Sequence, residues 1–407
     1  MINVALVSHS PHLHGAERSL VNLAGLFCDS SAILNGKSNQ IHPILMVPIP
    51  EKGEMSTVAQ SEGLDMVYTP PNPWYIYKSP NNTQDFDMFC EKVKDYTKTF
   101  IELFTKIKAD VVLVNTLTNF APNIAAFKLG IPTVTWIHGV LDASMIPGID
   151  ILYQSVIDRE IISMSNKPIY CSKWTEKQFK NIIQKKDSIT IPNWTIEPFK
   201  HVPYDKTGNE FICLNSMDSK KGINVLVDAA KILKDEGRKF HVSLYGIGYE
   251  LQNIINQVNA LDLNDCVSIS PRTTDISKPY NECNALIQPS FYESFGRTTI
   301  EAMSYKRPVI AATTADPEKI IVDGKNGFHV EPGNSRQLAE KMYYILNNSK
   351  EAENIGVNGY KTFKSRFNGN SAKKDFTKLI YELYKARLKP TPEQQLAFDT
   401  LNLIHGF

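Results

Sequence analysis

The sequence predicts an α/β protein with two parallel-sheet domains. Short apolar runs rich in Val and Ile alternate with helical patterns, and this alternation occurs twice along the chain. The length of 407 residues exceeds what one ordinary core fills and fits two domains of roughly 150 to 200 residues each, with a cleft between them. The predicted strands are INVALVS, HPILMVP and DVVLVNT in the first half and EFICLNS, HVSLYGIG, CVSIS and NALIQPS in the second.

Composition suggests where the two domains begin and end. Residues 191–210 contain three prolines and no hydrophobic period, which is typical of an interdomain linker. We therefore expect an N-terminal domain over residues 1–190 and a C-terminal domain over residues 211–370. Both domains would be Rossmann-like, because strands and helices alternate in each.

The last segment, residues 371–407, has no strand to follow. Its apolar residues recur at i, i+3 and i+4, which predicts a helix with one apolar face formed by Phe376, Leu379, Ile380, Leu383 and Tyr384. Because such a helix has no strand to connect to, we expect this segment to pack across the domain junction.

The overall composition is that of a globular protein. Hydrophobic residues make up 42% and charged residues 21% of the chain, and the net charge of +1 provides no general attraction to nucleic acid. The six cysteines form no CxxC pair, which argues against a zinc ribbon and against a disulfide framework. No signal-peptide pattern and no apolar run of about 18 residues is visible, so we expect a cytoplasmic protein.

The most informative segment is residues 288–334, with ESFGRTTIE at its centre. There Glu293 and Glu301 flank Gly296 and are separated by seven residues. The preceding run NALIQPS predicts a strand, and residues 298–303 predict the start of a helix, so the helix would begin at the carboxyl end of a strand. Open α/β sheets bind ligands at that end, and the free N–H groups of a first helical turn suit a phosphate or diphosphate.

Two carboxylates beside such a helix end favour a nucleotide-sugar site. Glu301, expected within the first helical turn, would accept hydrogen bonds from the two hydroxyls of a ribose. Glu293, on the loop before the helix, would point beyond the diphosphate. The alternative is that Glu301 is only a favourable first-turn acid and Glu293 a solvated loop residue. The spacing alone leaves both interpretations open.

The surroundings of these glutamates carry a family resemblance. The segment contains, in order, the E-x7-E element, the lead-in PS-x2-E-S-F-G, an E-A-M helix, an R-P-V-I-A strand and a D-G-x-N-G-F turn. Shorter matches elsewhere are GAERSLVNLA, WIHG, CSKW, IPN and KKGINVLVDAA. Together they resemble the retaining GT-B glycosyltransferases of the GT4 family, the glycosyl transferases group 1. The resemblance extends over nearly the whole chain and implies the GT-B fold, two Rossmann-like domains facing across a cleft.

The resemblance also implies roles for individual residues. Glu301 would bind the ribose, Glu293 the transferred sugar, and Lys221 the leaving phosphate. His138 would lie against the donor sugar, although without the resemblance it is equally well a core histidine at a strand end. Gly15 would belong to the glycine-rich loop that faces donor phosphate and acceptor. Backbone amides would hold the sugar and the diphosphate at Ser294, Phe295, Gly296, Arg297 and Thr298.

The chain departs from the family pattern in two places. Many members carry a phosphate-binding arginine five residues before Lys221, and Ser216 occupies that position here. Either Lys220 or Arg272 compensates, or the donor phosphates are held more weakly, or the enzyme is impaired. Arg272 is favoured because it follows the predicted strand CVSIS. The second departure is AATTADPEKII, where the family often has paired glycines, and it would suit a different donor or only a different turn.

From the resemblance we expect a retaining, hexosyltransferase-type glycosyltransferase of polysaccharide biosynthesis. It would move a sugar from a nucleotide-sugar donor to a glycan, a lipid-linked or another hydroxyl acceptor. No metal cofactor is expected, because side chains and helix dipoles would stabilise the leaving diphosphate. Retention would follow a front-face route, in which that phosphate helps to deprotonate the acceptor. The alternatives are a catalytically silent sugar-nucleotide-binding or scaffold subunit and a GT-B epimerase or phosphorylase.

Three histidines, His9, His12 and His14, lie in the loop SHSPHLHGAERS after the first predicted strand. Zinc needs three or four ligands in fixed geometry, and these histidines lie on a loop with no nearby cysteine or carboxylate cluster. The loop would lie at the carboxyl end of the N-terminal sheet. We expect polar residues of an acceptor loop or solvated side chains there, ahead of metal ligands.

Two further segments bear on the acceptor. Residues 69–82 combine four prolines with Trp74, Tyr75 and Tyr77, whose rings would stack on sugars or pack among themselves. Residues 167–186 carry six lysines against one acid, interleaved with aromatic and apolar residues. A basic amphipathic helix there would contact an anionic membrane at its inner face and suit a lipid-linked acceptor. The alternative is an ordinary helix with its lysines in water.

Overall fold

The computed structural model describes residues 1–28, 41–49, 53–71, 76–77, 83–139, 150–151, 154–180, 187–273, 275–314, 317–386 and 390–405. They form two compact units, of which the first comprises Met1–Pro192 with Asn370–Phe407 and the second Asn193–Gly369. Each unit contains a parallel sheet with helices, which confirms the predicted pair of Rossmann-like domains. Contacts assign the expected linker residues 193–210 to the second unit and the C-terminal segment to the first.

The first unit is built on a seven-stranded parallel sheet with the strand order β3-β2-β1-β5-β6-β8-β9. Strands β4 and β7 form a separate antiparallel pair. The predicted strands INVALVS, HPILMVP and DVVLVNT correspond to β1, β2 and β5. In the described residues of this unit, the strands are β1 (Ile2–Val7), β2 (Ile41–Pro48), β3 (Met66–Thr69), β4 (Ile76–Tyr77), β5 (Val111–Asn115), β6 (Thr133–Ile137), β7 (Asp150–Ile151), β8 (Lys167–Tyr170) and β9 (Ile189–Thr190).

In the described N-terminal part of this unit, the chain forms six helices. Single residues mark the ends of two of them. Ser172 caps one helix by accepting a hydrogen bond from the Thr175 N–H at 2.9 Å. Gly130 ends another in the left-handed conformation, with φ of 67°. The helices are α1 (Gly15–Cys28), α2 (Glu54–Ser61), α3 (Thr83–Lys106), α4 (Ala121–Leu129), α5 (Gln154–Met164) and α6 (Lys173–Phe179).

The second unit has a six-stranded parallel sheet with the order β12-β11-β10-β13-β14-β15. Its strands are β10 (Glu210–Leu214), β11 (His241–Tyr245), β12 (Val267–Ser270), β13 (Ala285–Gln288), β14 (Val309–Ala312) and β15 (Phe328–Val330). The four strands predicted in this half are all present, as β10 to β13. The helices are α7 (Ile223–Asp235), α8 (Leu251–Ala260), α9 (Ser277–Glu282), α10 (Arg297–Ser304), α11 (Pro317–Ile320), α12 (Ser335–Asn347) and α13 (Ser349–Arg366).

The chain ends in two helices that pack on the first unit, α14 (Asn370–Ala386) and α15 (Pro392–His405). The predicted helix corresponds to α14, where Phe376 is fully buried and meets the ring of Trp136 edge to face at 4.9 Å. In α15 the Phe398 ring stacks on that of Phe127 at 4.8 Å. None of the helices described here is both long and apolar enough to cross a membrane.

The parallel sheet of the second unit brings the loops that follow its strands to one edge. Strands β10 and β13 are direct neighbours, with Phe211 opposite Ala285 and Ile212 opposite Leu286. The loop after β10 therefore runs beside the loop after β13, because parallel neighbours end on the same side. The carbonyl oxygen of Lys220 in the first loop accepts hydrogen bonds from the N–H groups of Phe291 at 2.9 Å and Tyr292 at 3.2 Å. This backbone pairing ties the two loops together.

Gly222 makes this approach possible. It has a φ of +61°, and a Cβ added there would lie 2.2 Å from the carbonyl oxygen of Pro289. Gly237, at the end of α7, has a similar φ of +68°, but nothing lies within 4 Å of an added Cβ. The pair therefore separates backbone strain from close contact between loops.

We expect Gly222→Ala to destabilise the protein more than Gly237→Ala. Gly237→Ala costs only the strain of holding an alanine in the left-handed conformation, about 1 to 2 kcal/mol. Gly222→Ala carries the same strain and adds an overlap worth about 1 to 3 kcal/mol more. Urea unfolding of both variants measures the difference. Equal losses of stability would show that the two loops move apart without cost.

Candidate functional site

A buried ion pair lies where the two loops meet. The Lys221 ammonium nitrogen Nζ is 2.6 Å from Glu293 Oε2, and the two side chains are 15% and 14% exposed. Lys221 ends a short 3-10 turn, Ser219–Lys221, between β10 and α7. Glu293 lies on the loop between β13 and α10. The sheet order therefore brings together two residues that are 72 positions apart in the chain.

Glu293 is held by more than the lysine. Its Oε2 also accepts hydrogen bonds from Gln288 Nε2 at 3.1 Å and from Ser290 Oγ at 3.4 Å. Burial acts to raise the pKa of the Glu293 carboxyl, but the Lys221 charge and hydrogen bond, the Gln288 amide and the nearby Lys220 outweigh it and hold the pKa below its ordinary value. Glu293 is therefore a carboxylate at neutral pH, anchored through one oxygen.

Lys220 adds a second positive charge beside this pair. Burial, reinforced by the neighbouring charge of Lys221, lowers the pKa of the Lys220 ammonium. A negatively charged ligand at this edge would relieve the repulsion between the two lysines. The site is therefore suited to an anion.

The helix α10 begins directly after Glu293, at the carboxyl end of β13. Gly296, the residue before the helix, has a left-handed φ of 81°, and no side chain caps the helix start. The first-turn N–H groups of a helix have no acceptor within the helix, and the positive end of its dipole lies there. The predicted helix over residues 297–303 is thus confirmed, and its amino end points to the ligand edge of the sheet.

Glu301 lies in the second turn of α10, not in the first turn as predicted. The helix begins at Arg297, so Glu301 is its fifth residue, one full turn along. Its Oε1 accepts a hydrogen bond from Arg297 at 3.2 Å, and its Oε2 accepts one from the Tyr280 hydroxyl at 3.1 Å. The Glu301 side chain is only 7% exposed. Both oxygens therefore already have protein donors, which fix the carboxylate against α9.

The remaining predicted residues of this unit lie on the same edge. Phe295 is buried and packs edge to face on Phe367 at 5.8 Å, so its side chain belongs to the core and only its backbone faces the loop. Ser294 is half-buried beside it. The carbonyl oxygen of Thr298 accepts a hydrogen bond from the Tyr280 hydroxyl at 3.4 Å.

Ser216, which occupies the position of the family's phosphate-binding arginine, also lies on this edge. Ser216 is exposed in the loop after β10, and Arg272 is half-buried two residues after β12. Both loops follow parallel strands of the same sheet, so both lie at the carboxyl edge. Whether Lys220 or Arg272 replaces the arginine stays a prediction.

In the first unit, His138 follows β6 and has a defined partner. Its Nε2 lies 2.8 Å from Asn115 Oδ1, and its ring lies 4.5 Å from that of Trp136. Because an amide oxygen only accepts, His138 donates through Nε2. Gly15 is the first residue of α1, after β1, and is exposed. Their roles toward a donor stay predictions.

The three histidines of the first loop have different surroundings. His9 Nδ1 lies 2.7 Å from Oε1 of the fully buried Glu17, and His12 Nδ1 lies 3.7 Å from Glu54 Oε2. The rings of His12 and His14 are 6.2 Å apart. In the part of the chain that the structure describes, no group of three or more His, Cys, Asp or Glu side chains could hold a metal ion.

Three functional residues were missed in the sequence. Gln288 and Ser290 hold Glu293, and Tyr280 holds Glu301. For Gln288 a signal exists, because it is the one amide in the apolar strand ALIQ. Tyr280 gives no such signal, since it lies 21 residues before its partner.

The two segments predicted to face the acceptor are only partly described. Residues 72–75 and 78–82 of the aromatic loop lie outside the described residues, as do residues 181–186 of the lysine-rich segment. In the described part of the latter, Phe179 is buried and its ring lies 5.8 Å from that of Tyr170. Membrane contact therefore stays a prediction.

Comparison with known proteins gives a consistent family. Residues 196–362 match the family of glycosyl transferases group 1. An uncharacterized glycosyltransferase of Methanocaldococcus jannaschii is 28% identical over 262 residues, which are 63% of this chain and 70% of that protein. The capsular polysaccharide biosynthesis glycosyltransferase CapM of Staphylococcus aureus is 33% identical over 150 residues, 36% of this chain and 39% of CapM. The match therefore spans less than half of CapM.

A solved structure agrees in fold. HepE of Anabaena, determined in complex with UDP and glucose, aligns with a TM-score of 0.77 and covers 94% of this chain and 100% of its own. The two sequences are 17% identical, so the likeness shows the fold alone. HepE and this chain share two parallel-sheet domains over nearly their whole lengths.

Proposed function

We propose that the chain is a glycosyltransferase of group 1 with the GT-B fold, and that it is a retaining, metal-independent enzyme of the GT4 type that uses a nucleoside-diphosphate sugar. The observation that carries the proposal is the buried pair of Lys221 and Glu293 beside the amino end of α10. A cation, a carboxylate and a helix end are the groups that a sugar diphosphate requires together.

The proposed donor separates this pair. An ammonium group recognises phosphate as a compact positive charge, whereas a carboxylate recognises sugar hydroxyls as a hydrogen-bond acceptor. In the structure, Lys221 and Glu293 satisfy each other at 2.6 Å. With a donor, Lys221 turns to the phosphate and Glu293 to the sugar, so neither buried charge is left without a partner.

The leaving diphosphate gains its stabilisation from groups that are already in place. In this proposal, Lys221, Lys220 and the first-turn N–H groups of α10 would lie where negative charge develops when the bond between the sugar and the diphosphate breaks. Positive charge from side chains and a helix end removes the need for a divalent cation. We therefore propose transfer without a metal cofactor.

Retention would follow a front-face route. A covalent route needs a carboxylate at the anomeric carbon. The Oε2 atom of Glu293 is bound by Lys221, Gln288 and Ser290, which suits a fixed hydrogen-bond acceptor rather than a nucleophile. The leaving phosphate would then help to deprotonate the acceptor hydroxyl.

For the donor and acceptor, the relatives suggest where to begin. HepE was solved with UDP and glucose, and CapM is named for capsular polysaccharide biosynthesis. We propose a UDP-hexose as the first donor to test and a polysaccharide or a lipid-linked glycan as the acceptor.

A panel of UDP-, GDP- and dTDP-sugars tests the function, first by thermal shift and then by release of the nucleoside diphosphate in EDTA. A ligand at 100 times its dissociation constant should stabilise the protein by ~2.7 kcal/mol. We expect one nucleotide class to stabilise it and to be turned over in EDTA. Binding without turnover on any acceptor would favour the silent subunit, and turnover only with added magnesium or manganese would contradict metal independence.

The two glutamates should respond differently to replacement by glutamine. If Glu301 grips the ribose, Glu301→Gln weakens the free nucleoside diphosphate and the intact donor alike. If Glu293 touches the transferred sugar, Glu293→Gln weakens only the intact donor. Each loss should be ~1.5 to 3 kcal/mol, the value of a hydrogen bond to a charged group. Calorimetric titration of both ligands into both variants measures it.

The matched control is Glu340→Gln, an exposed glutamate of α12. It should leave both affinities unchanged. The assignment of roles is wrong if Glu293→Gln weakens the free diphosphate as much as Glu301→Gln does.

A further inference from the structure

Gln288 is a buried amide with a partner at each end. It is the last residue of β13, all four residues of which are buried, and it is 2% exposed. Its Nε2 donates to Glu293 Oε2 at 3.1 Å, and its Oε1 accepts from the hydroxyl of Thr299 on α10. A buried amide needs partners for its polar atoms. Here those partners belong to the loop and to the helix of the ligand site.

The two hydrogen bonds fix the direction of the amide. A carboxylate only accepts, so the atom facing Glu293 must be the amide nitrogen. The oxygen then faces the hydroxyl of Thr299, which is fully buried and can donate to it. The chain of contacts therefore runs from the body of α10 through Gln288 to the carboxylate on the loop.

Gly296 leaves room for this amide. A Cβ added to Gly296 would lie 3.1 Å from Gln288 Nε2 and 3.3 Å from its Oε1. The loop carrying Glu293 thus passes directly over the Gln288 side chain. A Cβ there would also lie 2.8 Å from Pro317 Cγ, so a larger residue at position 296 would press first on Pro317 and then on the amide.

The need for this contact follows from the proposed function, on which the inference rests. Lys221 contacts Glu293 Oε2 at 2.6 Å, a shorter distance than those from Gln288 and Ser290. Once Lys221 turns to the phosphate, Glu293 loses that partner although it must stay ionised and in place for the sugar. The Gln288 amide, together with Ser290 at 3.4 Å, remains on the same oxygen.

We propose that Gln288 is a positioning residue, oriented by Thr299, which holds Glu293 in place for the transferred sugar when Lys221 moves to the phosphate. It touches no ligand itself. Its effect should appear only on steps that involve the sugar. Binding of the free nucleoside diphosphate, which uses Lys221 and the helix end, should not depend on it.

Gln288→Leu tests this directly, with the sugar nucleotide that gives the largest thermal shift in the donor panel and with its free nucleoside diphosphate. Leucine keeps the approximate size and removes both hydrogen bonds. We expect a loss of about 10- to 100-fold in kcat/KM, in line with one hydrogen bond to a charged group. The affinity for the free diphosphate should stay within about twofold.

Double variants separate positioning from general damage. Combined with Glu293→Gln, Gln288→Leu should cost little more than Glu293→Gln alone, because both changes remove the same contact. Combined with Glu301→Gln, its effect should be additive, since Glu301 is held by Arg297 and Tyr280 instead. Additivity with both glutamates, or an equal loss for the free diphosphate, would overturn the proposal in favour of a purely structural glutamine.

Gln288→Glu adds a pH-dependent readout that a change in packing does not produce. It tests the proposal even if Gln288→Leu folds poorly. The introduced carboxyl can accept from Thr299 and, when protonated, donate to Glu293, as the amide does. When ionised it repels Glu293. We expect its kcat/KM relative to the unaltered protein to rise at least about fivefold between pH 8 and pH 5.5.

A ratio that is flat with pH would overturn the positioning role. Different results would reject the proposed function and the proposed role of Gln288. No turnover of any sugar nucleotide by the unaltered protein would remove the proposed function, whereas full turnover in Gln288→Leu would remove only this inference.

Discussion

The contact between Lys221 and Glu293 is the interaction around which the proposed ligand site of the second unit is built. Removing two charges from water costs free energy that their attraction only partly returns, so a buried pair is a poor choice for stability alone. In the proposed function, the Lys221 ammonium would recognise a phosphate and the Glu293 carboxylate a sugar hydroxyl, and in the structure the two groups pair with each other at 2.6 Å.

Topology explains how these two residues meet. Strands β10 and β13 are separated by β11 and β12 in the chain but are neighbours in the sheet. Their following loops therefore run side by side, and the carbonyl oxygen of Lys220 fastens them through two N–H groups. Gly222 permits the approach, because it has a positive φ and the carbonyl oxygen of Pro289 lies where a Cβ would be. The loops thus place the pair at the amino end of α10.

The fold was largely predictable from periodicity, because buried parallel strands are continuous apolar runs and all seven predicted strands are present. Short strands such as β3 and β9 were not, since β3 is mostly not buried and β9 has only two residues. The two glutamates and Lys221 were named from a motif and its family resemblance, and the structure brings Lys221 and Glu293 together, whereas their ligand roles stay predictions. The turn that contains Glu301 was predicted wrongly. The helix begins at Arg297, directly after Gly296, and spacing alone does not define that boundary.

The supporting residues were harder to predict for a physical reason. Gln288, Ser290 and Tyr280 act through hydrogen bonds that exist only once the sheet has formed. Ser290 is the serine of the quoted lead-in PS-x2-E-S-F-G, but the motif does not say which side chain it holds, because that partner is defined by three-dimensional neighbours. The contact between Lys221 and Glu293 was not predicted either. The two residues are 72 positions apart, and each was assigned to a different ligand group.

The most direct test of this account is a crystal structure of the protein with its intact sugar nucleotide, compared with one without ligand. The account predicts that Lys221 Nζ leaves Glu293, with their separation rising beyond about 4 Å, and lies about 3 Å from a phosphate oxygen. Glu293 should keep its contact with Gln288 and gain a sugar hydroxyl. A bound donor with Lys221 still paired to Glu293 at 2.6 Å would contradict the account.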